Sequence, residues 1–516
     1  MSSKYLHLVV LLLVYGYAKP QNTFVPDAIF EQALIDKGYD TGPLDNLVPT
    51  ANINTIIDLD VSQLNINDLT GIEDFSSLEV LDCSENRLSA LDISQNTNLK
   101  QLFCAFNRIT SLDISNNIGL SIIWCNFNRI PVLDVSNNTG LLSLVCSNNL
   151  LTEIDVSNNL SLNTFLCVGN QISSFDVSLN SNLKVFHCSN NRLTEVDVTN
   201  NPALNVLNCE YNFISTLDLS QNPALQQLYC MGNMISSLDL FNNGDLGILS
   251  CGNNMLYDLD VSRNPNLVEL ICNDNTLTTL ELNRNGSLNH IDVANNSLCN
   301  LNIKNRANTN VTFFDARENP DLFCVFVDDP RYSALNWTNI EPITNFVTNQ
   351  EECDEVADIT PDVDILNDFF GNQFILPTLN DGSYFTGSNG TGQPLFSGEI
   401  ITVSQTIYIF NTNGCYSNES RFNVIISSPG SPNYFIPKYF TPNNDGEHDF
   451  WGIVDTFNEI NHISIYNRNG KLLKFLLPSS KWDGIFNGQL LPSDTYWYEI
   501  VLNSGGAVRG YFALKR

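Results

Sequence analysis

Cysteine recurs every 21 residues, ten times without a slip: Cys83, Cys104, Cys125, Cys146, Cys167, Cys188, Cys209, Cys230, Cys251 and Cys272. Around most of them the chain reads L-x-x-L-x-C-x-x-N-x-[LI]-x-x-[LFIV]-D-[VIL]-S-x-N. Periodicity this strict marks a solenoid, in which each repeat buries its apolar face only against its neighbours. Each unit holds two nested phrases, L-x-x-L-x-C-x-x-N and [LI]-x-x-[LFIV]-D-[VIL]-S-x-N. Apolar and polar residues alternate in both, which predicts a short strand with one buried face from each phrase. Two asparagine columns, Asn86 through Asn275 and Asn96 through Asn285, repeat without exception. Asparagine at a sharp corner satisfies backbone groups that lack a ladder partner and tolerates left-handed geometry.

The first phrase resembles the leucine-rich repeat, with Cys in place of the third Leu. The nested 21-residue form resembles the bacterial IRREKO-type leucine-rich repeat. The resemblance implies a right-handed parallel β coil with one continuous sheet built from the first phrase. It covers roughly residues 56–321, with an irregular first repeat carrying Val61 in the Cys position. Two looser rungs follow at Ile291-Asp-Val293 and Phe314-Asp-Ala316. Residues 19–55 are expected to form an N-terminal cap, with a helical segment after Pro26-Asp27 carrying Phe30, Leu34 and Ile35 and ending near Gly38. Residues 322–357 resemble the closing cap of related exported repeat proteins, and Cys324 with Cys353 is the expected disulfide pair.

The ten periodic cysteines are expected as reduced, inward-facing thiols. Each takes the place of an inward aliphatic, and Val293 holds the same position one repeat later. Side chains stacked on in-register parallel strands all point the same way, which suits a disulfide dihedral poorly. Small buried hydrophobes is the better account. Cys299 falls at an outward position of its rung, where a thiol is expected. Cys415 lacks the partner that look-alike modules provide.

The start of the chain, Lys4 followed by an apolar run from Leu6 to Val14 and small residues at Gly16 and Ala18, reads as a secretory signal peptide over 1–18 cleaved after Ala18. No other stretch is expected to span a membrane. A formal net charge of −32, from 24 Lys+Arg against 56 Asp+Glu, argues against a nucleic-acid partner, because phosphate binding needs clustered cations.

Past the solenoid, residues 358–429 carry short β runs such as 400–410 and 422–426, expected as an immunoglobulin-like β-sandwich spacer. Residues 430–516 contain Phe440-Thr-Pro-Asn-Asn-Asp-Gly446, Trp482-Asp-Gly484, Leu491-Pro-Ser-Asp-Thr-Tyr496 and a terminal Gly510-Tyr-Phe-Ala-Leu-Lys-Arg516. This module resembles the type B sorting domain of the type IX secretion system, also called the gliding motility-associated C-terminal domain. The resemblance implies an all-β address tag read by that secretion machinery, and hence a secreted or cell-surface protein. Asn444 and Ser493-Asp494 stand where the family more often has Gly, which bears on how efficiently the tag is recognised. The fold class expected for the whole chain is mainly β: a leucine-rich-repeat solenoid, a sandwich and a small all-β sorting domain.

Outward positions of the first-phrase strands form the candidate binding surface. Phe103, Phe106, Trp124 and Phe127 cluster on two adjacent rungs, Val145, Leu166 and His187 continue the line, and Tyr211 and Tyr229 lie beyond. A contiguous apolar patch on an exposed sheet marks an interaction site for a protein or a polysaccharide. The alternative is an aromatic ladder that stabilises neighbouring rungs by packing on itself. A second column is acidic, with Asp92, Asp113, Asp134, Asp155 and Asp176 on successive rungs. Either each carboxylate accepts hydrogen bonds from the Ser two residues on, or the column gathers calcium; a full calcium motif is lacking. Histidines never cluster, and no hydrolase, zinc-protease, P-loop or dinucleotide fingerprint occurs. The favoured reading is a non-enzymatic exported recognition protein with no cofactor. The alternative is a structural adhesin or matrix component whose solenoid is a spacer.

Overall fold

A computed structural model describes residues 21–356, 360–413, 415–426, 434–443, 448–455 and 458–516. The expected signal peptide, its cleavage point and Asn444 lie outside these residues. Two compact units, 1–357 and 358–516, make up the chain.

In the first unit, thirteen three-residue strands from Asp58–Asp60 to Phe313–Asp315 form one parallel sheet. Register is conserved from rung to rung: Leu81 pairs with Leu102, Leu102 with Ile123 and Ile123 with Leu144. The middle residue of every strand is buried, so its two neighbours face outward. The ten periodic cysteines follow the strands and point inward, each with no exposed surface. All ten are free thiols. The Cys104 N–H donates to the Trp124 carbonyl one rung on at 2.8 Å, and the Cys146 Sγ lies 3.6 Å from the Leu166 carbonyl oxygen. Burial pushes the Cys125 and Cys209 thiols up to about 12, which removes the reactive thiolate at neutral pH.

The second phrase departs from its expected strand. Only near the C-terminal end, at Thr279–Glu281 and Asn300–Asn302 with two cap strands, does it build a sheet, of four strands. In the earlier rungs its backbone is bonded by side chains instead. The Asn117 amide donates to the carbonyls of Ile93 and Asn96, both at 2.9 Å, and the Asn138 amide does the same one rung later to Ile114 and Asn117. With those carbonyls occupied by amide groups, a regular ladder has no acceptors to use.

Both open ends of the coil are covered. Asp27 caps the helix Ala28–Asp36, accepting from the N–H groups of Ile29 and Phe30, while its second oxygen accepts from Asn67 and Asp68 of the first coil. Phe30 and Leu34 of that helix are fully buried, and the Phe30 ring stacks on Phe75. At the far end, Trp337 stacks on Phe314 at 4.6 Å, and Cys324 is joined to Cys353 by a disulfide. Cys299 and Cys415 correct the sequence reading: each is disulfide-bonded, and Cys299 is largely buried rather than outward. The period that placed the other thiols had already loosened at Cys299, so spacing no longer reported its surroundings.

In the second unit, Tyr416–Ile426 pairs in parallel with Phe369–Gly371 and antiparallel with Gln405–Asn413. Ile407, Ile409, Phe422 and Ile401 share the small core between this five-stranded sheet and a two-stranded one. A further five-stranded sheet places Ala507–Leu514 between Tyr439–Phe440 and Asp494–Leu502. Trp451 stacks on Phe512 at 4.0 Å, with Trp482 and Phe440 in the same core. Gly484 has φ +75°, and a Cβ there would meet Leu514 Cδ1 at 2.6 Å, so the turn after Trp482 requires glycine. The last residue is tied in as well: the Arg516 N–H donates to Ser493 Oγ at 2.8 Å and its Nε to the Leu491 carbonyl at 2.9 Å. No helix among the described residues is long and apolar enough to cross a membrane.

Titration of the exported chain with a thiol-reactive chromophore tests the inward cysteine column. No rapid reaction is expected in native buffer, and ten thiols should react in denaturant without reductant. Fewer than ten would mean that the column is bridged.

Candidate functional site

After each strand the chain must leave the sheet sharply, and it does so through one residue with positive φ, two positions after the cysteine column. Asn148, Asn190, Asn253, Asp274 and Asn295 occupy this position on their rungs with φ from 50° to 55°, and Gly169 and Gly232 on two others, all residue types that tolerate the left-handed region. Glu85 on the first cysteine rung and Glu318 on the last loose one share the corner at φ 54° and 58°. Phe106, Phe127 and Tyr211 stand at the same position with φ 54°, 56° and 52°. A bulky side chain held there is strained by ~1–3 kcal/mol. Folding alone therefore does not favour aromatic residues at these corners.

The rings are also not hidden. Phe106 is 49% exposed, Phe127 44% and Trp124 45%. Phe106 and Phe127 stack face to face, with centroids 4.4 Å apart and planes 12° apart. Phe103 meets Trp124 edge-on at 5.0 Å and 82°. Their placement follows from register: Phe103 and Trp124 are paired strand residues, and Phe106 and Phe127 follow at equal distance along each coil. Phe103, Phe106 and Trp124 line a depression of about 490 Å³ together with Ala105 and Asn126, and Phe127 backs Phe106 from outside that lining. Asp82, Ser84 and Glu85 close its N-terminal side. Asp82 accepts from the Ser84 N–H at 2.9 Å, and Glu85 Oε1 accepts from Gln63 Nε2 at 2.9 Å.

The remaining aromatic candidates are not part of this depression. Val145, Leu166 and His187 continue the strand column but are half-buried. His187 Nε2 has no hydrogen-bond partner, and burial lowers the imidazole pKa, which favours the neutral ring. Tyr211 lies four rungs past Phe127, roughly 19 Å at the strand spacing. Its hydroxyl donates to Met231 Sδ at 3.4 Å, and its ring lies over Gly232, where a Cβ would meet it at 2.6 Å. Tyr229 is half-buried and donates to Gln227 Oε1. Between these tyrosines sits Glu210, whose carboxyl is raised by burial while Asn208 and Ser250 hydrogen-bond to it. Glu210 has no counterpart in the repeat pattern and gave no sequence signal.

In the acidic column each carboxylate serves its own turn. Asp113, Asp134, Asp155 and Asp176 accept from the N–H of the Ser two residues on at 2.8 to 2.9 Å, and Asp92 does so at 3.0 Å. For the first four the Ser hydroxyl and then the N–H hold the pKa below the usual carboxylate value; for Asp92 the N–H leads. Among the described residues no group of three or more His, Cys, Asp or Glu is placed to hold a metal ion.

Residues 434–514 match the CHU_C Type IX secretion signal domain. No curated protein matches the chain. Among solved structures it is similar to the functional domain of InlJ from Listeria monocytogenes, which includes a cysteine ladder. The two are 25% identical over 78% of this chain and 99% of that one, with a TM-score of 0.55. It is also similar to an internalin, InlF, from Listeria monocytogenes str. 4b F2365, at 21% identity, 63% and 95% coverage and a TM-score of 0.52. The chain is thus a leucine-rich repeat solenoid, a fold suited to protein binding, with a C-terminal type IX signal that directs export to the cell surface or beyond.

Two outcomes are expected. Replacing Phe106 and Phe127 by Asn relieves part of the strain, ~1–3 kcal/mol in all at each of two corners, and removes one ring stack of ~0.5–1.5 kcal/mol. The double variant should therefore melt at or above the parent temperature, whereas a clear fall would assign the rings to packing. Because the acidic-column pKa values are depressed in the folded state, their stabilisation is present above the unfolded value of about 3.9. It is lost as pH falls through the lower folded values. The urea midpoint should stay level from pH 7 to about pH 4 and drop below that, and Asp134→Asn should lessen the drop.

Proposed function

We propose that this chain is a non-enzymatic exported recognition protein that binds a protein or polysaccharide outside the cell through the aromatic depression on its solenoid. The observation that carries the reading is the placement of Phe106 and Phe127 in left-handed backbone, half-exposed and stacked. Strain on exposed rings supports a binding role, because packing alone is served better by the Asn, Asp and Gly found at this corner on most of the other rungs. Phe103 and Trp124, packed edge-on, line the same depression as Phe106. The wall is rigid, since both pairs are mounted on strands and corners fixed by register, so little ordering entropy is lost on binding. The calcium alternative for the acidic column has no support in the carboxylate geometry.

The secretion signal and the solenoid then divide the work. The C-terminal module is addressed to the type IX machinery, and the repeat sheet meets the partner once outside. Replacing Phe103 and Trp124 by Ser in the full exported chain tests the site. Binding to an array of cell-wall polysaccharides and surface proteins should be lost while the melting temperature changes little. Retained binding with a large fall in melting temperature would instead make the rings a structural ladder.

A further inference from the structure

Two residues past the left-handed corners stands a column of arginines that the repeat lattice does not require. Four residues after the cysteine column stand Arg87, Arg108 and Arg129, one on each of three successive rungs, all exposed. On other rungs the same position holds Leu150, Gln171, Phe213 or Thr276, and once more an arginine, Arg192, which donates to Gln171 Oε1 at 3.1 Å, so no packing rule demands a cation there. None of the three side chains makes an ion pair or a side-chain hydrogen bond among the described residues, although the chain carries 56 acidic residues. Three guanidinium-bearing positions one rung apart, roughly 4.8 Å, repel one another without a compensating anion.

Two of these rungs are those of the ring pairs. Arg108 follows Phe106 by two residues, and Arg129 follows Phe127 by two. Flat rings for stacking and a parallel row of bidentate donors thus advance together along the solenoid axis. We propose that the partner of this surface is a carboxylate-bearing polysaccharide of the polyuronate type, lying across the rungs. Its pyranose faces stack on the rings, and those of its carboxylates that face the solenoid fork onto the arginines. Asp82 and Glu85, at the N-terminal side of the depression, accept from sugar hydroxyls rather than meeting carboxylates. An acidic peptide would satisfy the arginines but presents no repeating flat face to the rings.

This inference rests on the aromatic depression being the binding surface, and the experiment separates the two. Calorimetric titration of the full exported chain with polygalacturonate, its fully methyl-esterified form and polyglutamate is carried out at low and high salt. Polygalacturonate should bind at least tenfold more tightly than the ester, and the difference should shrink with salt. The triple variant Arg87→Gln, Arg108→Gln, Arg129→Gln should bind polygalacturonate no better than the ester, with unchanged melting. The pair Phe103→Ser, Trp124→Ser should lose both polymers. Equal binding of acid and ester by the parent, or an unaffected triple variant, overturns the anionic partner while leaving the ring surface standing. A ring variant that still binds both polymers overturns the ring surface instead. Preference for polyglutamate over polygalacturonate, or no binding of polygalacturonate, overturns the proposal.

Discussion

The solenoid depends on asparagine amides that bond each coil to the one before it. A parallel coil leaves many backbone groups at its corners without a ladder partner, and a buried unpaired carbonyl or N–H costs about 1–3 kcal/mol. In the first column, Asn128 accepts from the Ile109 N–H at 2.9 Å and donates to the carbonyls of Cys104 and Cys125 at 2.9 and 3.0 Å. One side chain therefore serves three main-chain groups on two rungs. The second column works one-sidedly, donating to two carbonyls while its buried oxygens, from Asn96 to Asn285, have no donor. Even the irregular first coil is completed this way, with Asn86 Oδ1 accepting from Leu64 and Ile66.

Because the main chain and the asparagines do the bonding, outward positions are released from structural duty. The column before the cysteines runs through Asp82, Phe103, Trp124, Val145, His187 and Ser250 with no change in strand register. The corner column tolerates whatever can bear a positive φ, and bears aromatic residues at a cost. Binding chemistry can thus be written onto the scaffold rung by rung. The grouping of rings and unpaired arginines on neighbouring coils reflects such freedom.

How much of this was readable in the sequence follows from what repetition can and cannot encode. The inward cysteines, the parallel sheet, the N-terminal cap helix at Ala28–Asp36 and the tryptophan-containing C-terminal module were all visible. Each rests on spacing or on a dense motif. The second phrase looked like a strand because its apolar alternation is real, yet its carbonyls go to amide groups of the next coil, and alternation says nothing about the acceptor's partner. Cys299 and Cys415 were misjudged for the opposite reason, lying where no period constrains the neighbours. The left-handed corner was hinted at by Asn, Asp and Gly recurring in one column. Phe106, Phe127 and Tyr211 in the same column mask it, because aromatic residues rarely bear a positive φ.

The central placement of one late strand carries a consequence for quality control. Ala507–Leu514 is an interior strand of its sheet, with Phe512 and Leu514 buried and Arg516 fastened to Ser493 and Leu491. A molecule in which that strand is cut away has nothing to fill the middle of the sheet, and Tyr439–Phe440 loses its neighbour. An intact address thus certifies that the whole module has closed around its own late strand.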